Sequence, residues 1–94
     1  MVDTIERNPD VTLCERYEGR RVLFDPVTGA GFELNDVGVF VWRHLDGHHS
    51  SSDIVRAMQR KFHQVPAEAA QDVEDLIRHL IDRGLAGHAV PLRQ

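Results

Sequence analysis

The sequence predicts an α+β domain of winged-helix-like order, a three-stranded antiparallel β-meander followed by three α-helices. Three observations predict it. Between Val11 and Leu34, apolar and polar residues alternate in three short runs separated by turn residues. From Asp36 onward the apolar spacing becomes that of helices. Asn35 stands at the change, and an Asn side chain there can accept a hydrogen bond from an orphan amide of a first helical turn.

Residues 1–10 are mostly polar, include Pro9, and read as a flexible tail, which leaves a single domain over residues 11–90. Val11–Tyr17 carries the alternation of a half-buried strand, and Glu18-Gly19 is a turn signal. Arg20–Asp25 reads as the second strand. Asp25-Pro26-Val27-Thr28-Gly29 is a turn, because Pro fixes φ and Gly supplies a positive φ. Ala30–Leu34 returns as the third strand.

Helix 1 is predicted over Asp36–Leu45, with Gly47 just beyond it. Its apolar residues Val37, Phe40, Val41, Trp42 and Leu45 cover more than half its circumference, so other elements should pack around it. His48–Ser52 is a polar connector in which Ser51 or Ser52 is expected to cap helix 2, with Asp53 in the first turn. Ile54, Val55, Met58 and Phe62 form the buried stripe of helix 2. Pro66 stands near the start of helix 3, which spans Ala67–Arg83 and stops at Gly84. The stripe of helix 3, Ala69, Ala70, Val73, Leu76, Ile77, Leu80 and Ile81, is wider than one partner requires. It is either a broad core face or a core face with one margin open to a groove. Leu85, Ala86, His88 and Val90 should close the domain as a short strand or coil.

Bulk properties exclude several functions. Ninety-four residues suffice for one modest core, burying about two-thirds of the unfolded surface. No apolar run approaches the roughly 20 residues that cross a bilayer, and the N-terminus lacks the layout of a signal peptide. A cytoplasmic protein without a membrane partner is expected. Cys14 is the only cysteine, so an internal disulfide and a Cys-based metal cluster are excluded, and it reads as a small residue on a sheet face. Of the six histidines, His44 and His48 are parted by Asp46-Gly47, and His48-His49 with Asp53 is at most a loose surface site. No metal or other cofactor is expected. No nucleophile elbow or phosphate-cradling Gly-rich loop occurs, and Ser50-Ser51-Ser52 is more simply a helix cap, so the chain is not expected to be an enzyme.

The alternative reading is a winged-helix DNA-binding domain of a transcription regulator. Acids outnumber bases 15 to 11, for a net charge of −4, and the bases are dispersed. Helix 3 carries Glu68, Asp72, Glu74 and Asp75 over the half that would enter a groove, where carboxylates repel phosphates. Nucleic acid is therefore not the expected partner.

The ordered series Leu23-Phe24-Asp25-Pro26-x-Thr28-Gly29, Phe32-x-Leu34-Asn35 and Val41-Trp42-x-x-Leu45-Asp46-Gly47 is similar to the PqqD-like family. Ile54-Val55, Asp72-Val73, Leu76 and Leu80-Ile81-Asp82-Arg83-Gly84-Leu85 continue the likeness, which spans about residues 11–86. Members of this family are small peptide chaperones, also called RiPP recognition elements. The resemblance implies that the leader of a ribosomal precursor peptide adds as an antiparallel strand to the exposed edge of the third strand. Backbone hydrogen bonds would give affinity and pockets for alternate side chains selectivity.

Carried over, the strand side of the site is Ala30, Gly31, Phe32, Glu33 and Leu34. The helix-3 side is Ala69, Asp72, Val73, Leu76 and His79, with Arg83 meeting an acidic leader residue. The resemblance also implies an enzyme partner, such as a radical-SAM protein or a leader protease of a lasso-peptide pathway. The turn at Asp25–Gly29 resembles generic or lasso-type members more than those of pyrroloquinoline-quinone biosynthesis. Such a chaperone catalyses nothing and raises the effective concentration of substrate at the enzyme. An empty third-strand edge also leaves a homodimer open. The rotational phase of helix 3 does not follow from the sequence.

Overall fold

Two small sheets and three helices make up the described residues. A computed structural model describes residues 4–15, 17–62 and 65–89, with Tyr17 by its backbone. In chain order the elements are β1 (Ile5–Arg7), β2 (Thr12–Glu15), a 3₁₀ turn (Tyr17–Gly19), β3 (Arg21–Phe24), β4 (Gly31–Leu34), α1 (Asp36–Arg43), α2 (Ser51–Lys61), α3 (Ala69–Asp82) and β5 (Ala86–His88). The expected α+β architecture is present: β2, β3 and β4 form the antiparallel meander, and three helices follow.

The register lines up Leu13, Leu23 and Phe32 across the sheet, and beside them Glu15, Arg21 and Leu34. Directly paired residues share a face, so Leu23 and Leu34 point inward and are buried. The turn into β4 explains why Asp-Pro-x-Thr-Gly stands there. Gly29 has φ +79° and donates its amide to the Asp25 carbonyl at 2.7 Å. The Asp25 carboxylate accepts from Val27 N at 2.9 Å, and Thr28 Oγ1 accepts from Ala30 N at 3.2 Å.

Helix α1 is the hub. Gly38, Val39, Phe40, Val41 and Trp42 are buried in succession, whereas Val37 is exposed, contrary to the expectation that it joins the core. Asn35 Oδ1 accepts from Gly38 N at 2.8 Å, so the cap expected at Asn35 is made. The helix ends at Arg43, and Leu45 is fully buried beyond it. Ile54, Val73, Leu80 and Leu85 complete the core around it.

Three local expectations are corrected. Residues 5–7, assigned to a flexible tail, form a strand paired with β5. Ile5 is buried, its amide reaches the His49 carbonyl at 3.1 Å, and its carbonyl accepts from Gly47 N at 2.9 Å. A lone isoleucine among polar residues shows no period, and its partner lies at the other end of the chain. Second, Ser50 caps α2, not Ser51 or Ser52. Ser50 Oγ accepts from Asp53 N while the Asp53 carboxylate accepts from Ser50 N, a reciprocal capping box. Third, α3 starts at Ala69 after a turn, with Ala69 N bonded to the Pro66 carbonyl, two residues later than expected. Arg16, expected in the first strand, Val90, expected to close the domain, and residues 1–3 of the expected tail lie outside the described residues. No helix among the described residues is long and apolar enough to cross a membrane.

Candidate functional site

Strand β4 has a single strand neighbour among the described residues, β3, so its other side is a sheet edge. Hydrogen bonding sets which of its residues serve that edge. Asp25 N donates to the Ala30 carbonyl at 2.9 Å. In an antiparallel ladder bonded and non-bonded pairs alternate. The bonded pairs are therefore Leu23 with Phe32 and Arg21 with Leu34. Gly31 and Glu33 occupy the alternate positions and turn their N–H and C=O groups outward.

The side chains along the edge differ. Gly31 is exposed, and a Cβ there would meet only Leu23 O and Val22 Cγ1, both at 3.8 Å. The approach to its backbone is open. Glu33 is exposed and ion-paired to Arg20 Nε at 2.9 Å. Arg20 was missed by sequence reasoning, since only the cross-strand register brings it there. Phe32 is half-buried, with Arg83 Cζ 5.3 Å from its ring centre, within cation–π range. Leu34 belongs to the core and Ala30 is half-buried in the turn.

The phase of α3, left open by the sequence, is visible in its surroundings. Ala69, Val73, Ile77 and Leu80 are buried. Ala70 and Glu74 border a concavity shared with Ser51, Ser52 and Val55 of α2. Ile77, Arg78 and Ile81 border another, shared with Ile5 and His88. The remaining margin is Asp72, Leu76, His79 and Arg83, spaced by four, three and four residues, with Leu76 half-buried and the others exposed. The contact between Arg83 and Phe32 joins the C-terminal end of this margin to β4. Of the helix residues singled out in sequence, Asp72, Leu76, His79 and Arg83 lie together on this margin. Ala69 and Val73 lie in the core, because the stripe is wide enough to hold both roles.

Two histidines are engaged locally. His44 Nδ1 donates to the Phe40 carbonyl at 2.8 Å, and His49 Nδ1 pairs with Asp46 Oδ1 at 2.9 Å. Burial opposes ionisation of Asp46, but hydrogen bonds from the His49 ring and the His48 amide outweigh it and hold its carboxyl below the usual range. The Ser50 amide, helped by Arg56, lowers the Asp53 carboxyl in the same direction. Asp53 is thus occupied by the cap of α2. No three His, Cys, Asp or Glu side chains among the described residues converge as metal ligands.

Fold and edge define a class: a small winged-helix-like α+β domain whose meander ends in an open strand beside a helix margin. Residues 20–86 match the PqqD family, Coenzyme PQQ synthesis protein D, and the chain belongs to that family. Two solved structures share its fold. One is lasso peptide synthetase B1 complexed with the leader peptide, 24% identical, with 93% of this chain and 98% of that chain covered at a TM-score of 0.71. The other is TbiB1 in complex with the TbiA(beta) leader peptide, 23% identical, covering 86% of this chain and 93% of that one at a TM-score of 0.69. No curated protein matches the chain.

Proposed function

We propose that this protein binds the leader segment of a ribosomally synthesised precursor peptide and presents it to a modifying enzyme or leader protease. The leader adds as an antiparallel strand to the outer edge of β4. The observation that carries the reading is the register: Gly31 and Glu33 turn their backbone groups outward along an edge with no strand neighbour among the described residues. An edge of this kind is normally an aggregation liability; here it is the binding element. The leader side chains that point inward lie between β4 and the α3 margin of Asp72, Leu76, His79 and Arg83. Ala69 and Val73 support that margin from the core, and Phe32 with Arg83 closes one end. The two structural neighbours, each solved with a leader peptide, support the reading. The protein itself acts as a chaperone and not as a catalyst.

The test is amide-shift mapping of ¹⁵N-labelled protein with synthetic leader segments of the short peptides encoded beside its gene. Saturable shifts at residues 31–34 and 72–83 are expected, and they should persist at 500 mM salt. Strand addition exchanges backbone hydrogen bonds, whereas nucleic-acid binding falls steeply with salt. An absence of shifts at residues 31–34, or a response to duplex DNA alone, would overturn the proposal.

A further inference from the structure

Where β4 ends, a trough begins. One concavity runs past Glu33, Leu34 and Asn35 to Arg21 and Asp36. Arg21 and Asp36 also border a second, of about 330 Å³, floored by Phe40 and Phe62 and rimmed by Arg43, His44 and Lys61. Three cationic side chains, Arg21, Arg43 and Lys61, face this second space against the single carboxylate of Asp36. Asp36 is already bonded to Arg21 Nη2. Arg21 Nε is buried with no hydrogen-bond partner among the described residues. Lys61 Nζ stands 5.4 Å from the Phe40 ring centre. Neither Lys61 nor Arg43 is ion-paired among the described residues. On a chain of net charge −4 this is a local excess of positive charge over an aromatic floor.

We propose that this trough is an anionic subsite for the leader, holding carboxylate side chains of the segment immediately upstream of the strand-forming stretch. The inference rests on the strand-addition reading above. An antiparallel partner of β4 enters beside Leu34 and leaves beside Gly31, so its upstream flank is the part that meets the trough. A low-dielectric apolar floor strengthens charge pairs compared with open water. Long cationic stems that lie along aromatic surface keep their heads available for an incoming carboxylate.

The test uses the leader segment that shifts the β4 amides, in three synthetic forms: four Glu upstream, four Gln upstream, or four Glu downstream. At 50 mM salt the upstream Glu form is expected to bind about three- to tenfold tighter than the Gln form, as one or two partly exposed charge pairs allow. It should also shift the amides of Arg43, Lys61 and Phe62. Downstream Glu should give no gain through these residues. In the double variant Arg43→Glu, Lys61→Glu the Glu-to-Gln ratio should fall to one or below, and in wild-type protein 500 mM salt should erase it. An unchanged ratio in the variant overturns the subsite even if its thermal midpoint drops. That pattern would mean the two cations merely offset the C-terminal dipoles of α1 and α2. Equal binding of all three forms with β4 still shifting sinks the subsite alone; no β4 shift with any form sinks the strand-addition reading and the subsite with it.

Discussion

The meander has two outer strands of equal length, β2 and β4, and the molecule treats their edges differently. Beside β2, Val11 N donates to the Asn8 carbonyl at 3.0 Å. Asn8 is itself tied to the end of α3, through Nδ2 to the Gly84 carbonyl and N to the Leu85 carbonyl, both at 3.0 Å. The turn carrying Pro9 thereby takes up the amide of Val11 just ahead of β2, while along β2 itself the outward amides of Leu13 and Glu15 have no main-chain partner among the described residues. Beside β4, among the described residues, no main-chain partner takes up the outward groups of Gly31 and Glu33. Open edges invite pairing and are usually blunted. The only such tie among the described residues stands at the start of β2, and on the strand-addition reading the edge of β4 is the one kept for a partner.

The strongest way to break this comparison is a matched pair of prolines. The register that turns Glu33 outward on β4 also turns Glu15 outward on β2, and both side chains are exposed. Proline removes the amide at either site and is tolerated on an edge. Glu33→Pro is expected to weaken leader binding by about tenfold to a hundredfold, through one lost hydrogen bond and a ring set against the incoming chain. Glu15→Pro should change it by about twofold at most. Titration calorimetry, with circular dichroism to establish folding, reads both. Equal losses would remove the distinction between the edges.

The meander behind this difference was legible in sequence, the difference between its edges was not, and the illegible part has physical reasons. The alternation of Val11 to Leu34 located the meander, and Asn35 located the entry to α1, because both signals are local. Strand β1 escaped because its partner, β5, is remote in the chain and its only apolar residue is Ile5. Three serines in a row each satisfy the cap rule. Choosing Ser50 depends on Asp53 standing three residues later, the capping-box spacing. The outward set on β4 depends on the bond between Asp25 and Ala30, which no residue pattern encodes. Ala69 and Val73 looked like groove residues because a broad apolar stripe does not say which of its edges faces the core.

A second, smaller effect sharpens the comparison by moving β4 alone. A Cβ on Gly38 would stand 2.9 Å from Leu34 Cδ2 and 3.2 Å from Leu34 Cβ. The contact ties α1 to the inner face of β4. Gly38→Ala gains about 1 kcal/mol of helix propensity and loses about 1–3 kcal/mol to overpacking. A net loss of about 1 kcal/mol in denaturant unfolding is expected, together with weaker leader binding as β4 is displaced. A stabilised variant that binds normally would show that Leu34 yields without moving the edge.

Ser50→Ala probes a point remote from both edges. Loss of the reciprocal cap should cost about 1 kcal/mol in urea unfolding, while leader affinity of the folded protein stays unchanged. If affinity fell with stability, the edge would be coupled to the α2 cap, and the two edges could not be treated as local features.

The smallest effect is on the acid side. Hydrogen bonding from the Ser50 amide, then from Arg56, depresses the Asp53 carboxyl in the folded state, and the hydrogen bonds to Asp46 act likewise against its burial. A carboxyl depressed by folding stabilises the native state fully above its unfolded value, near pH 4. That stabilisation is lost as pH falls through the lower folded value. The thermal midpoint should therefore not follow these two groups between pH 7 and 5, and should fall with them below about pH 4. Asp53→Asn should flatten part of that fall. Neither carboxylate lies on β2 or β4, so leader affinity at pH 5 should match that at pH 7. Affinity that changes over this interval would place a titrating group within the leader site, at the β4 edge, along the α3 margin or in the trough.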